Sequence, residues 1–454
     1  MSAICSSAVR VGIVGGGIGG SSAAYFVRQL FKEDADIQLY EQNRIGGRLD
    51  MEEVNDHWFE SGGSIIHTKN KYMMDFIDKF GLQRRPDSDD TFGLCDGQQL
   101  LFVSSSWSFV TMAKLFWRYG YDVIKLQRLV SAMLLKFSSI YNLLDSGAAY
   151  DTVEDLIMAM DPSLIKLMGL PLSQYLKLSG LQPGFVEEMV TAATLTNYGQ
   201  RPDIHAFVGM VALAGAANEL TAVMGGNYQV AVKAVEESGA TVRKERVEKI
   251  KFTGDAYLVT SADGGGAPQT QVFDIVIVAA PQTADHAPIV WEGLPVPLHF
   301  PGRYHNLSVT FVDGELRPGA LAASSLPEDI LCSAGCAEFN SIGRVRPVSG
   351  AQAPHAVHKV FSNAPLSAPQ LDALFAARRR ERRLSWLAYP SYGVGAPLGN
   401  FTLRDNLYYL NSVEAAASAM EMSVVAARNV ANMAFARWYN RPPPDMRRFE
   451  HTEL

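Results

Sequence analysis

Val9-Arg10-Val11-Gly12-Ile13-Val14 runs straight into Gly15-Gly16-Gly17-Ile18-Gly19-Gly20, and this junction decides the fold. The first six residues read as a short, buried, β-branched strand, and Ser21 to Val27 behind the glycines has helical character. Gly15, Gly17 and Gly20 satisfy the G-x-G-x-x-G spacing. Glycine at 15 permits a tight turn, glycine at 17 lets the backbone approach a pyrophosphate, and glycine at 20 lets the helix pack close on the strand. The helix N-terminus, with Ile18 and Gly19, then faces phosphate charge. A Rossmann-type α/β dinucleotide-binding domain is expected.

Working outward, a second strand, Asp36 to Tyr40, ends in Glu41, about twenty residues past the last glycine. A carboxylate there accepts hydrogen bonds from a ribose 2′-hydroxyl and disfavours a 2′-phosphorylated cofactor. Arg44-Ile45-Gly46-Gly47-Arg48 follows directly. It resembles the R-x-G-G-R element of flavin-dependent amine oxidases, in which a second glycine pair lies against the cofactor phosphates. Flanking arginines would offset phosphate charge. Phe59-Glu60-Ser61-Gly62-Gly63-Ser64 is a further glycine turn of the kind that passes the isoalloxazine ring in that superfamily. The cofactor expected is therefore FAD.

Distant segments complete the frame. Met224-Gly225-Gly226-Asn227 precedes a helix-like stretch, Tyr228 to Ser238, and a strand over Thr241 to Val247 whose end places Val247 at the adenine. Phe273 to Pro281 reads as another fully buried parallel strand. Leu407 to Asn411 resembles a strand, and Ser412 to Trp438 a long helix. The N-terminal region of that helix can aim N–H groups at the flavin pyrimidine, with Met420-Glu421-Met422 as the contact.

The middle block differs. Trp107, Phe109, Phe116, Trp117, Tyr119, Tyr121, Phe137 and Tyr141 are strewn among Leu, Met and Val with interspersed Lys and Arg. This pattern predicts amphipathic helices with a wide apolar face, first of all buried against a neighbouring domain. Its alternatives are the wall of an elongated pocket or a membrane-surface face. Asp151 to Gly215 continues as helices broken by Pro162, Pro171, Pro183 and Pro202. Arg378-Arg379-Arg380-Glu381-Arg382-Arg383 reads first as a solvated helical face, with an anionic membrane or partner site as the alternative, and Gly264 to Pro268 as a hairpin tip or short loop. The expected organisation is discontinuous: 9–67, 222–290 and 400–440 bind FAD, while 68–221 and 291–399 form an interleaved substrate domain.

At 454 residues the chain exceeds one ordinary core, and 48% hydrophobic against 19% charged residues fits a packed globular protein. A net charge of −7 gives no reason to expect nucleic acid as a partner. Cys5, Cys95, Cys332 and Cys336 are too few for a disulfide scaffold. The Cys332–Cys336 spacing lacks a second pair, so no metal site is expected; two buried or unreactive thiols are preferred over a local disulfide. No apolar run approaches the ~20 residues that span a bilayer. Met1 to Arg10 has neither a basic start nor an apolar stretch, so no signal peptide is visible. Asn306-Leu-Ser and Asn400-Phe-Thr are sequons that matter only in a secretory compartment.

Together these residues resemble the prenylcysteine oxidases, also called prenylcysteine lyases, and their oxidase-like relatives. Besides the glycine motifs, Glu60-Ser61-Gly62, His67, Phe76 and Tyr198-Gly199-Gln200 are in register. So are Ala212-Leu213-Ala214-Gly215-Ala216 and Phe339-Asn340-Ser341-Ile342-Gly343. Lys359-Val360-Phe361-Ser362, Trp386-Leu387-Ala388-Tyr389-Pro390, Glu414, Ala416 to Ser423 and Arg437-Trp438 complete the likeness.

The resemblance implies a flavin amine oxidase-like architecture and oxidative cleavage of a prenyl thioether. Hydride leaves the allylic carbon on sulfur for flavin N5, water adds to the resulting cation, and the hemithioacetal collapses to an isoprenoid aldehyde and free cysteine. Oxygen reoxidises the flavin and yields hydrogen peroxide. This chemistry calls for no nucleophilic Ser or Cys and no metal; the protein supplies an apolar slot and alignment. His67 is the one histidine singled out, to position water or tune the flavin, against a purely structural role. The resemblance also implies a lysosomal or secretory location. Two other readings stay open: a flavin amine oxidase or desaturase-like enzyme on another apolar substrate, and a non-catalytic flavin- or lipid-binding relative.

Overall fold

The computed structural model describes residues 8–85, 90–215, 219–333 and 338–448; Cys5, Ala216 and Cys336 lie outside them. Six strands form the nucleotide-binding sheet: β1 (Val9–Val14), β2 (Ala35–Tyr40), β3 (Thr241–Arg243), β4 (Ile275–Val278), β5 (Thr402–Arg404) and β6 (Leu407–Tyr409). Their spatial order is β3-β2-β1-β4-β6-β5, parallel except for β5 at the edge. The opening junction sits at its centre, with Val11 and Ile13 fully buried and the Ile18–Phe31 helix packed against the sheet. That helix buries its Ala23-Ala24 side, small enough to let the C-terminal helix (Met420–Tyr439) lie alongside it.

A seven-stranded sheet takes its strands from 92–103 and 304–390, in the order Phe375–Pro390, Tyr304–Leu316, Val357–Ser362, Ser341–Val345, Asp329–Cys332, Phe92–Cys95, Leu100–Val103. The helical block spans Ser108–Tyr119 through Ala206–Ala214, and two of its helices open at Pro162 and Pro183, where the missing N–H costs nothing. Residues 246–292 form a four-stranded sheet, its hairpin turning at Asp263–Gly266.

Four expectations are corrected. The arginine run is the middle of a sixteen-residue strand, Phe375–Pro390, paired along Tyr304–Leu316. Its Ala, Arg and Glu favour helix locally, but the long ladder overrides that preference, and partners such as Glu315 and Glu52 match its charge. Thr241 to Val247 is two strands rather than one: the chain leaves the first sheet after Arg243 and enters the four-stranded sheet at Arg246. The long C-terminal helix begins at Met420, because Leu410–Ala415 is a separate 3₁₀ turn. Cys332 is not a free thiol; it is disulfide-bonded to Cys95, its opposite number on the adjacent parallel strand and 237 residues away in sequence.

Candidate active site

A cavity of about 1150 Å³ runs from the glycine loop of the first sheet to the helical block. Gly15, Gly17, Ile18, Gly19, Glu41, Gly46, Gly47, Arg48, Gly62, Gly63, His67, Glu421 and Met422 all line it. Three residues expected at the cofactor do not. Gly20 lies beneath the turn, Ser61 is buried with its N–H donated to Asp50 O (2.7 Å), and Val247 is packed in a separate core with Tyr40 and Phe273. Val247 misses the cavity because its strand belongs to the outer sheet.

The glycines divide by what a side chain would strike. A Cβ on Gly20 would fall 1.9 Å from Gly15 O, and one on Gly62 1.9 Å from Arg48 O, so the fold itself demands glycine there. Gly15 and Gly46 hold φ of +102° and +127°, conformations that L side chains resist. Gly17 is different. Its added Cβ would meet no protein atom closer than 3.9 Å, so the space over it is kept for a ligand. The two glycine loops meet here, Gly46 N donating to Gly16 O (2.9 Å).

Two helices open on the same space. The Ile18–Phe31 helix starts at Gly17 and the Met420–Tyr439 helix at Ala419, neither with a side chain capping its N–H groups. Free N–H groups and the positive end of the helix dipole suit phosphate oxygens at one and carbonyl oxygens at the other. Glu41 accepts from Gly16 N and Asn43 N (both 2.8 Å), one on each oxygen, which holds the loop and leaves a further lone pair on each for ribose. The donor set and the open cradle fit FAD.

The arginines depart from their expected part. Arg48 is spent on Glu414, with further bonds to Ala388 O (2.7 Å) and Ser418 Oγ (3.2 Å), and Arg44 pairs with Asp50. Glu414 also accepts from Tyr304 (2.7 Å) and Asn411 (2.7 Å), so it is a buried, fully hydrogen-bonded hub. Glu421 caps the Lys71–Lys79 helix, accepting from Tyr72 N (2.8 Å) and Met73 N (3.0 Å), while burial pushes its carboxyl up to about 7. Its side chain is thus occupied, and only its position on the helix turns toward the cavity.

Behind the Gly62–Ser64 turn lies a network that the sequence reading missed. Buried Asn227 donates to Gly63 O (2.9 Å) and its N–H to Glu60 (2.7 Å); Lys359 Nζ donates to Glu60 O (2.9 Å) and Ser64 Oγ (3.1 Å). Burial raises the Glu60 carboxyl to about 7 and lowers the Lys359 ammonium to about 8. A lone lysine inside the apolar strand Val357–Ser362 was the available signal. His67 lines the cavity, and its Nδ1 accepts from Lys69 N (3.0 Å). A backbone N–H can only donate, so Nδ1 is bare and the ring proton is assigned to Nε2; burial, with Lys69 nearby, lowers the pKa.

Away from the cradle the walls are apolar: Leu134, Phe137, Tyr141, Leu307, Phe361 and Trp386. The hydroxyls of Thr196 and Tyr389, two residues of the lining, are themselves buried and have no protein partner among the described residues.

Comparison with known proteins agrees with this layout. The prenylcysteine lyase family pattern matches residues 102–443, and an NAD(P)-binding Rossmann-like domain pattern matches 13–80. Prenylcysteine oxidase 1 of Mus musculus is 35% identical over 94% of this chain and 89% of its own. Prenylcysteine oxidase 1-like of the same species is 30% identical over 95% and 91%. Among solved structures, putrescine oxidase (TM-score 0.63, 15% identity, 95% of this chain and 100% of that one) shares the fold. So does cyclohexylamine oxidase from Brevibacterium oxydans (TM-score 0.61, 16% identity, 96% and 100%). The α/β Rossmann-type architecture, shared with these amine oxidases, is thereby shown. Matched along three quarters of its length and aligned with relatives nearly end to end, this chain belongs to the prenylcysteine lyase family.

Proposed function

We propose that this chain is an FAD-dependent oxidase that cleaves a prenylcysteine thioether, farnesyl or geranylgeranyl, into free cysteine, an isoprenoid aldehyde and hydrogen peroxide. The observation that carries the reading is that one cavity is lined both by the glycine cradle and by apolar side chains. Bound FAD supplies the hydride acceptor and passes the electrons to oxygen. The chain's own residues do the rest. Leu134, Phe137, Leu307, Phe361 and Trp386 hold the isoprenoid and exclude bulk water, which orients the allylic carbon. The Nε2–H of neutral His67 is the proposed group that orients the attacking water.

Anaerobic mixing with farnesylcysteine tests this. The flavin band, at about 450 nm, bleaches if the thioether is the hydride donor. A yellow protein that bleaches with cyclohexylamine or putrescine but not with farnesylcysteine overturns the substrate and leaves the flavin site standing. His67→Ala is expected to slow aldehyde release without loss of bound flavin.

A lysosomal or secretory location is part of the proposal. The Cys95–Cys332 disulfide supports it, since such bonds persist in oxidising compartments. Asn306 and Asn400 are both exposed and open to glycosylation. A mobility shift on endoglycosidase treatment of protein from a secretory host checks that point.

A further inference from the structure

The Ser108–Tyr119 helix turns an apolar face outward, and the Asp122–Phe137 helix after it adds exposed Leu135. Phe109, Met112 and Phe116 recur at helical spacing along one side of the first, with Trp117 beside them. Leu115 and Tyr119 take the inward side, Tyr119 stacking edge-on with Phe185 at 5.2 Å. The outward rings are strongly exposed: Trp117 at 92%, Phe109 at 68%, Trp107 and Tyr121 at 66%. They group in pairs, Trp107 with Phe109 (5.9 Å) and Phe116 with Tyr121 (5.1 Å), rather than scattering as single surface residues do.

Exposed charge on this segment has one sign. From 108 to 137 the cations are Lys114, Arg118, Lys125, Arg128 and Lys136, whereas the single acid, Asp122, is buried, in a chain whose net charge is −7. Arg118, Lys125 and Lys136 reach acids at 188, 122 and 161; Lys114 reaches only the Val103 carbonyl. The face is also continuous with the cavity. Ser131, Leu134, Leu135, Phe137 and Ser138 line the cavity from the second helix, and Leu135 is at the same time 75% exposed. No helix among the described residues is long and apolar enough to cross a membrane.

We propose that this helix pair docks the enzyme onto a phospholipid surface bearing anionic lipid. Trp, Tyr and Phe sit at headgroup level, the Lys and Arg side chains meet lipid phosphate, and the mouth at Leu135 opens toward the acyl region. Delivery of an isoprenoid through that mouth rests on the prenyl thioether reading; attachment itself does not.

The test is vesicle flotation of the flavin-loaded full chain, with no turnover measured. Phosphatidylcholine vesicles containing phosphatidylserine are expected to carry the protein, pure phosphatidylcholine vesicles less of it, and high salt to lower the first toward the second. The double variant Phe116→Ser, Trp117→Ser should float at least tenfold less, with flavin content and melting temperature unchanged. Wild type that stays at the bottom with both vesicles overturns the proposal. So does a double variant that floats like wild type, or one whose only change is a smaller oligomer on size exclusion, which would make the face a protein contact. Flotation without bleaching by farnesylcysteine would leave docking intact and remove the substrate reading.

Discussion

Gly15, Gly46 and Gly62 sit where neighbouring backbone carbonyls leave 3.0 Å or less for a Cβ, while Phe109, Phe116 and Trp117 stand in solvent on a helix that holds itself to the protein by its other side. The cradle is determined from every direction. Backbone carbonyls, the sheet above it and two helix ends each fix the same few atoms. The aromatic helix pair is determined only from within. The difference separates two kinds of function: holding a cofactor needs backbone placed to a fraction of an ångström, whereas meeting a lipid surface needs only that apolar side chains be left uncovered.

The largest effect expected within the cradle splits it into its two kinds of glycine. Gly20→Ala drives a methyl into Gly15 O and should yield little folded protein. Gly17→Asp has room in the protein and should fold, yet lose its yellow colour, because bulk and negative charge occupy the phosphate position. Flavin absorbance per chain, read beside a melting curve, distinguishes them. A yellow Gly17→Asp protein would contradict the assignment of that space to the pyrophosphate. Next is Glu414→Gln, which leaves Arg48 uncompensated in the cavity wall. Breaking a fully buried pair costs about 3–5 kcal/mol; with Arg48 36% exposed the loss is expected at about 2 kcal/mol, to be read from denaturant unfolding. A loss under about 1 kcal/mol would mean that the Tyr304 and Asn411 contacts hold the hub without the charge.

Legibility followed the same division. The strand–glycine–helix junction and Glu41 could be read directly, since each glycine answers a steric demand a few residues away. Lys359, Asn227 and Glu414 could not, because their partners are brought together only by the folded sheets, from 164 to 366 residues distant. For the same reason the Cys95 bond to Cys332 was missed. Val247 was misplaced by a strand break at Lys244-Glu245 that carries no turn signal. The basic run failed in the opposite way: its local helical preference was plain and the ladder to Tyr304–Leu316 prevailed. The aromatic block gave its periodicity but not its sign. Burial against a neighbouring domain was expected, and the structure instead divides it between solvent (Trp107, Phe109, Phe116, Trp117, Tyr121), core (Tyr119) and cavity (Phe137, Tyr141).

Acidity sharpens the contrast, because the cavity's ionisable groups are buried and those of the aromatic pair are solvated. Burial raises Glu421 to about 7 from an ordinary 4.5. Between those values the folded chain keeps a proton that the unfolded chain has released. The stability this brings is therefore full below about pH 4.5 and is lost as pH rises through 7, by up to about 3 kcal/mol. The melting temperature should fall from pH 5 to pH 7.5, and Glu421→Gln should flatten that fall while starting lower, since its amide cannot accept from both Tyr72 N and Met73 N. An unchanged slope in the variant would move the proton elsewhere, with Glu60 the next group to examine.

The smallest effect is the most telling for the helix pair. Trp117→Ala removes the largest aromatic side chain, yet at 92% exposure it takes almost nothing out of the fold. Its cost should stay within about 0.5 kcal/mol, as for surface positions generally. A buried tryptophan would cost about 3–5 kcal/mol on the same change. Denaturant unfolding at low protein concentration separates these outcomes. A loss of several kcal/mol would show that Trp117 is covered in solution, by this chain or a second copy, and the exposed face would cease to exist. A negligible loss leaves a large ring maintained in water at no gain to stability, and that is a feature a partner surface has to explain.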